Sequence, residues 1–282
     1  MQRTLRHLGE GILAFVLTFF LFTFSVLTIV QFTLLNPKFM HQQVVHSGYV
    51  SAVTSEAHQN ISNLGAGSGI PKKVLKSVPS KYNVQQDINT FIDRAYAGAG
   101  IKLEATHIKK QLRTQVYAYA RMKHLPLNQT TRHAVEQYVN KSVDQYAQSV
   151  QVPYLIQIGK NVQAIKQYVL LGLLGTLLLC LVLGSVLKKQ VKLAHRMWRY
   201  LSYCLTGNGL MLIIAPYMLL GSQVIDRLGI GTKGLYRLVT TYLHTFVWIF
   251  IISGLISLAF GLGCIVISEV RRKNRIHRSE VS

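Results

Sequence analysis

The sequence has ten histidines, and histidine is one of the side chains that most often bind transition metals. Six of them lie in the polar segment 36–167: His41, His46, His58, His107, His124 and His133. None is part of an H-E-x-x-H motif, and the segment has no cysteine. His41 and His46 are five residues apart, which places them on different faces of a helix. The sequence therefore predicts no metal site.

Acid–base catalysis would need paired carboxylates, and the same segment has six: Glu56, Asp87, Asp93, Glu104, Glu136 and Asp144. Asp87 and Asp93 fall on one predicted helix but on different faces of it. Gly229-Ile-Gly-Thr-Lys-Gly234 matches the G-x-G-x-x-G pattern of dinucleotide-binding proteins. That pattern requires a strand before it and a helix after it, whereas this copy lies between two apolar runs and predicts a flexible turn. We predict a non-enzymatic protein with no catalytic residue and no cofactor.

The sequence also has four apolar runs without Asp, Glu, Lys or Arg, at residues 12–35, 168–187, 201–220 and 243–267. A helix of about 20 residues is about 30 Å long, the thickness of a bilayer's hydrocarbon core. The first run exceeds the roughly 7–15 apolar residues of a cleavable signal peptide, so we predict an uncleaved membrane helix. The third run contains Gly207-Asn208-Gly209 and Pro216, which predicts a kinked or irregular helix. The runs predict four transmembrane helices.

The segment 36–167 separates the first two runs, and its apolar residues recur every three or four positions, as on one face of a helix. The clearest apolar stripes fall within residues 50–64, 84–95, 108–120 and 135–150, and glycine- or proline-rich stretches separate them. No alternating strand pattern is evident. We therefore predict an all-α fold in which this segment forms a domain of four or five helices with its own core.

Positive charge orients the predicted membrane helices. Lysine and arginine number 31 against 10 acidic residues, and they flank apolar runs rather than alternate with aromatics, which argues against nucleic acid as a partner. The flanks 188–200 and 268–282 carry five each and the flank 1–11 carries two, whereas the 22-residue connection 221–242 carries three. The positive-inside rule then predicts a plasma-membrane protein with both termini and the loop 188–200 in the cytoplasm. Segments 36–167 and 221–242 would lie outside.

Small residues recur every fourth position on two of these helices: Gly172, Thr176, Cys180 and Gly184 on the second, and Ser253, Ser257 and Gly261 on the fourth. Small side chains allow helix backbones to approach closely in lipid. The ridges predict packing within one bundle, or a surface for a protein partner or a second copy. All three cysteines lie inside apolar runs, so the segment 36–167 has no disulfide.

The segment 36–167 carries 16 Lys or Arg against 6 acidic residues, a difference of +10. Such a charge is often only solvated, but it also attracts anionic wall polymers or the headgroups of membrane lipids. Lys109, Lys110 and Arg113 lie within about one and a half helical turns and are the candidate anion-binding residues. The membrane runs contain no acidic or basic residue for an ion relay, which argues against a coupled transporter.

Residues 39–96 include the turn Leu64-Gly-Ala-Gly-Ser-Gly-Ile-Pro71 and the helix Phe91-Ile-Asp-Arg-Ala-Tyr96, and this region resembles hypothetical integral membrane proteins of Gram-positive bacteria. The resemblance extends over most of the chain, implies the plasma membrane, and brings no activity or site residues. The layout alone is also similar to that of FtsX-like permeases, which work with a cytoplasmic ATPase and move an outer domain. We expect an envelope protein whose outer domain binds or regulates a protein or anionic partner. The alternative is an FtsX-like transmission subunit that relies on a separate ATPase.

Overall fold

The computed structural model describes residues 2–99, 105–126, 128–191, 194–230 and 232–280, and these form nine α-helices and no β-strand. The predicted all-α fold is confirmed for this part of the chain. A short 3-10 helix, Lys72–Leu75, follows the third α-helix. The α-helices are α1 (Gln2–Phe32), α2 (Pro37–His46), α3 (Tyr49–Gly67), α4 (Lys81–Tyr96), α5 (Thr106–Met122), α6 (Gln129–Val150), α7 (Pro153–Gln190), α8 (Ala194–Gly221) and α9 (Lys233–Glu280).

The chain divides into two compact units. Unit 1 comprises Met1–Leu35, Ala164–Leu228 and Tyr242–Ser282, and unit 2 comprises Asn36–Gln163 and Gly229–Thr241. Helices α7 and α9 each contribute residues to both units. Residues 229–241, which fall within the predicted connection 221–242, belong to unit 2. A Cβ added at Gly234 would lie 2.8 Å from the Cβ of Ala52, so the glycine lets the start of α9 pack directly on α3.

Four described helices, α1, α7, α8 and α9, are long and apolar enough to cross a membrane, and most of their residues lie in unit 1. Their candidate spans are Gly9–Phe32, Asn161–Gln190, His195–Gly221 and Lys233–Lys273, each extending beyond the corresponding apolar run at one end or both. Helix α8 continues through Gly207-Asn208-Gly209 and Pro216. Large apolar side chains such as Leu171, Met218 and Phe260 are about two-thirds exposed. An apolar exterior of this kind is suited to contact with lipid.

Unit 2 has a core built from the predicted stripes, which are confirmed as the buried faces of α3 to α6. Ile88, Phe91, Leu112 and Tyr146 are fully buried or nearly so. Burying an aliphatic or aromatic side chain of this size stabilises a fold by about 1.5–3 kcal/mol. The residues just before three of these helices act as N-caps. The side chains of Asn36, Ser80 and Asn128 accept hydrogen bonds from backbone N–H groups of α2, α4 and α6.

Candidate functional site

A cleft of about 560 Å³ opens in unit 2, where the end of α3 and the turn after it face α5 and α6. Apolar side chains line most of it, among them Leu64, Ile70, Val116 and Leu125. Lys141 is the one charged residue among the described lining residues. Ligand-binding pockets in proteins commonly have volumes of roughly 300–1,000 Å³ and combine apolar surfaces with a few polar groups. The cleft therefore has the size and composition of a binding site.

The glycine-rich sequence at the end of α3 shapes one side of this cleft. A Cβ at Gly65 would lie 2.6 Å from Cδ1 of Leu75 and 3.3 Å from the hydroxyl of Tyr138, so only glycine allows the close packing here. Gly69 has a φ of +72°, a left-handed conformation that glycine adopts without strain. The chain then reverses, and the N–H of Ile70 donates to the carbonyl of Gly65 at 2.8 Å. The turn is therefore held by close packing at Gly65 and by a backbone hydrogen bond.

Tyr138 on α6 lines the cleft and connects α6 with α3. Its hydroxyl donates to the carbonyl of Ile61 on α3 at 3.3 Å, which joins two of the helices that form the cleft. Burial raises the pKa of the Tyr138 phenol, so it stays neutral at physiological pH. The described lining residues include no Asp, Glu, His or Cys. The cleft is accordingly equipped to hold an apolar ligand with an acceptor or anionic group near Lys141.

The candidate anion-binding residues lie on α5, away from the lining of this cleft. Arg113 donates from Nη2 to the Oε2 of Glu136 on α6 at 2.6 Å. This partner raises the pKa of the Arg113 guanidinium and offsets its charge. Lys110 is exposed and Lys109 is half-buried. Arg113 thus contributes to joining α5 and α6, and Lys109 and Lys110 remain the cations of the predicted cluster.

Three polar side chains of unit 2 meet at one carboxyl group; Tyr146 is buried, Asp87 is nearly buried, and His107 is partly exposed. The hydroxyl of Tyr146 donates to Oδ2 of Asp87 at 2.5 Å, and Nε2 of His107 lies 3.2 Å from the same oxygen. Burial raises the pKa of the Asp87 carboxyl, although Tyr146 and His107 oppose that shift. The group joins α4, α5 and α6. Sequence reasoning missed it, because Asp87 is 59 residues from Tyr146 and carries no motif.

The remaining candidates for chemistry do not assemble into a site. Among the described residues no group of three or more His, Cys, Asp or Glu side chains is placed to hold a metal. His41 lies 3.3 Å from Asp93, and Nδ1 of His58 lies 3.1 Å from the carbonyl oxygen of Val78. Glu104, Lys192 and Gly231 lie outside the described residues.

The predicted ridge on α7 is half-buried, and its four residues have different neighbours. A Cβ at Gly172 would lie 3.2 Å from Cδ1 of Leu27 on α1. The Thr176 hydroxyl donates within α7, to the carbonyl of Gly172 at 2.8 Å. Cys180 packs against a cluster that includes Ala14 and Cys204. A Cβ at Gly184 would meet no atom within 4 Å. The ridge therefore makes its close glycine contact at Gly172.

The ridge on α9 lies beside α8, and the close contacts involve a glycine that the sequence analysis did not select. A Cβ at Gly254 would lie 2.8 Å from the carbonyl oxygen of Gly209, and one at Gly261 would lie 2.7 Å from Oγ1 of Thr206. Ser257 is buried and hydrogen-bonded to α8, whereas Ser253 is only half-buried. The contact face therefore includes Gly254, Ser257 and Gly261.

Unit 1 also buries polar groups near the helix contacts, among them Asn208 and Glu10. Asn208 is 3% exposed, and its Nδ2 donates to Oγ of Ser257 at 2.9 Å and to Oγ of Ser25 at 3.4 Å. Glu10 is also 3% exposed, and its Oε2 accepts a hydrogen bond from the Tyr200 hydroxyl at 3.0 Å. Asn208 is polar within an apolar run, which is a signal in the sequence. Glu10 precedes its run, so nothing in the sequence indicates burial.

No protein-family model matches the chain, and neither the curated proteins nor the solved structures contain a match.

Proposed function

We propose that the chain is a non-enzymatic, multi-pass protein of a bacterial plasma membrane, and that unit 2 binds a partner on the outer face through the cleft. The observation that carries this proposal is the cleft of about 560 Å³ with Lys141 as the charged residue of its described lining. Its apolar side chains suit an apolar segment of the partner, and Lys141 suits a carboxylate or phosphate beside that segment.

The membrane topology has support from a contact within unit 2. If all four candidate spans cross the bilayer, the segment between the first two and the connection between the last two lie on the same side. Gly234 lies at the start of the fourth candidate span, next to that last connection, and packs on Ala52 of the large segment, as this alternation requires. The positive charge of the other flanks then favours the outer side for both.

The binding proposal is testable with a photo-crosslinking amino acid introduced in living cells. Ala134 is exposed on α6 and lines the cleft, whereas Ala118 is exposed on α5 and is not among its lining residues. We expect a discrete crosslinked adduct from position 134 and none from position 118. Lys141→Glu should decrease the adduct at position 134. Equal adducts from both positions, or none from position 134, would contradict binding in the cleft.

The orientation is testable with an impermeant thiol reagent in intact cells, in a background where Cys180, Cys204 and Cys264 are replaced by alanine. Cysteines at Asn140 and Thr232, which are exposed in unit 2, should react. A cysteine at Gln190, exposed at the end of α7, should react only after the cells are opened. Reaction at Gln190 alone would show the inverted topology.

An FtsX-like transmission subunit is the second candidate. Helices α7 and α9 supply residues to both units without interruption, so a movement of either helix would involve both. A cytoplasmic ATPase that co-purifies with the full chain in mild detergent, and that is lost on ATP addition or on removal of residues 268–282, would favour this candidate. Purification without an ATPase would favour the first.

A further inference from the structure

The helices of unit 1 bring a concentration of positive charge to one end of their apolar spans. The Ser268 hydroxyl of α9 donates to the carbonyl of His195 on α8 at 2.7 Å, and Leu187 of α7 packs in one cluster with Ala14 of α1. Seven cations whose side chains the structure describes lie on these helix ends: Lys188, Lys189, Arg196, Arg199, Arg271, Arg272 and Lys273. Two carboxylates with described side chains lie there, and both have partners, since Glu269 pairs with Arg272 and Glu10 accepts from Tyr200.

Within this end, a pocket of about 260 Å³ is lined by Arg196, Arg199, Tyr200 and Tyr203. The four residues are spaced by three, four and seven positions, so they share one face of α8. Nε of Arg199 donates to the Tyr203 hydroxyl at 3.0 Å, which fixes the direction of the guanidinium while leaving its terminal NH₂ groups for another acceptor. Neither arginine pairs with a carboxylate within the described chain. The pocket therefore presents two guanidinium groups, and the carboxylate beside it, that of Glu10, accepts a hydrogen bond from Tyr200.

The same face of α8 continues as exposed apolar surface. Leu210, Ile214 and Tyr217 follow Tyr203 by seven, eleven and fourteen positions, which keeps them on its face, and each is exposed. One helix face thus presents two cations, then tyrosines, then an apolar stripe along a candidate membrane span. A phospholipid has the same order of groups, from a phosphate through a glycerol region to acyl chains.

We propose that Arg196, Arg199 and Tyr203 bind the phosphate of an anionic phospholipid whose acyl chains lie along Leu210, Ile214 and Tyr217. Guanidinium groups bind phosphate oxygens through paired hydrogen bonds, and basic residues next to the end of a membrane helix attract anionic headgroups. This inference rests on the membrane placement proposed above, and it is independent of any ligand of the cleft in unit 2.

The test uses the full chain in mild detergent, with lipid retention measured by native mass spectrometry. Phosphatidylglycerol and phosphatidylcholine with the same acyl chains are supplied at equal mole fractions. We expect phosphatidylglycerol to be retained about tenfold more strongly. Arg196→Gln with Arg199→Gln should weaken its binding about 30-fold, because each arginine near an anionic headgroup contributes about fivefold.

The matched control is Lys188→Gln with Lys189→Gln, which removes the same charge from the same end of unit 1 but no residue of the pocket. It should weaken phosphatidylglycerol binding at most about fivefold, since only nonspecific attraction is lost. Equal losses in both double variants, or equal retention of both lipids by the unaltered protein, would overturn the proposal. A chain that inserts into bilayers but shows no lipid preference would contradict the lipid site alone. A chain that does not insert would contradict the membrane placement.

Two further arms separate a lipid from a soluble phosphate and guard against misfolding. Glycerol 3-phosphate should not displace the lipid at millimolar concentration, and displacement that depends on Arg196 and Arg199 would show a site for a soluble phosphate instead.

Tyr203→Phe keeps every charge and removes only the hydroxyl that accepts from Arg199. It should weaken phosphatidylglycerol binding about threefold, the effect of one hydrogen bond, and an unchanged affinity would exclude Tyr203 from the site.

Discussion

Asn208 of α8 donates a hydrogen bond of 2.9 Å from Nδ2 to Oγ of Ser257 on α9. The Ser257 hydroxyl in turn donates to the carbonyl of Leu205 on α8 at 2.9 Å. Through Ser25, at 3.4 Å, Asn208 also reaches α1. Within an apolar bundle no water is available to replace these hydrogen-bond partners of Asn208. The amide of this one side chain therefore links α1, α8 and α9.

Asn208→Ala should decrease the free energy of unfolding of the full chain in detergent by about 1–2 kcal/mol, because both interhelical hydrogen bonds of Asn208 are lost. Ser257→Ala should cost about as much, because it removes the bond shared with Asn208 and the bond to the Leu205 carbonyl. Combining the two should cost less than their sum, since they share one hydrogen bond. Ser185→Ala is the control, because that exposed hydroxyl bonds only within α7 and its removal should have no measurable effect. Strict additivity of Asn208→Ala and Ser257→Ala would contradict the shared bond.

Gly254→Ala should separate α8 from α9. The new Cβ would lie 2.7 Å from Cγ1 of Ile213 and 2.8 Å from the Gly209 carbonyl oxygen, and the backbone atom cannot move without moving its helix. Overpacking of this kind costs about 1–3 kcal/mol. Gly263→Ala, on the same helix, would meet no atom within 4 Å and should leave the unfolding temperature unchanged or slightly raised. Equal effects of the two substitutions on unfolding in detergent would refute the close contact.

The sequence predicts the helices of unit 1 better than it predicts which faces meet. In α9 both faces are apolar, so periodicity gives no indication of the side that packs on protein. The four-residue spacing of small residues therefore predicts Ser253 as a packing residue, whereas α9 approaches α8 closely at Gly254. In unit 2 the polar and apolar faces differ, and the stripes identify the core directly. The cleft could not be predicted, because it depends on how the end of α3 meets α5 and α6.

The two glycines of the α7 ridge should respond differently to leucine. Gly172→Leu should destabilise unit 1 by about 1–3 kcal/mol, because its Cβ alone would approach Leu27 to 3.2 Å and the larger side chain must displace it. Gly184→Leu should be nearly neutral, since the space around it is open. Leu178→Ala, at an exposed position of the same helix, should also be mild. If α7 instead binds a second copy through Gly184, Gly184→Leu will change the oligomeric state measured by light scattering, and the unfolding temperature of the unaltered chain will depend on its concentration.

Asp87 illustrates a feature of unit 2 that the sequence does not reveal. It precedes the buried Ile88 on α4, at the edge of the apolar stripe, where a carboxylate ordinarily reaches water. The fold instead brings Tyr146 and His107 to it from α6 and α5. Pairings between residues so distant in sequence follow from helix packing rather than from local pattern.

The raised pKa of Asp87 should make part of the stability of unit 2 dependent on pH. The unfolded chain ionises this carboxyl near its ordinary pKa of about 3.9, whereas the folded chain holds the proton to higher pH. The stabilising contribution is therefore fully present below about pH 3.9 and is lost as the pH rises through the raised pKa.

Asp87→Asn stays neutral, and its Oδ1 still accepts from Tyr146. The stability of the unaltered chain relative to Asp87→Asn should accordingly decrease from pH 4 to pH 7, measured as amide hydrogen-exchange protection in α4 and α6. Asp93→Asn is the control, because that carboxylate is largely exposed and its substitution should give a much smaller change. A relative stability that instead rises with pH would show that Tyr146 and His107 outweigh burial at Asp87.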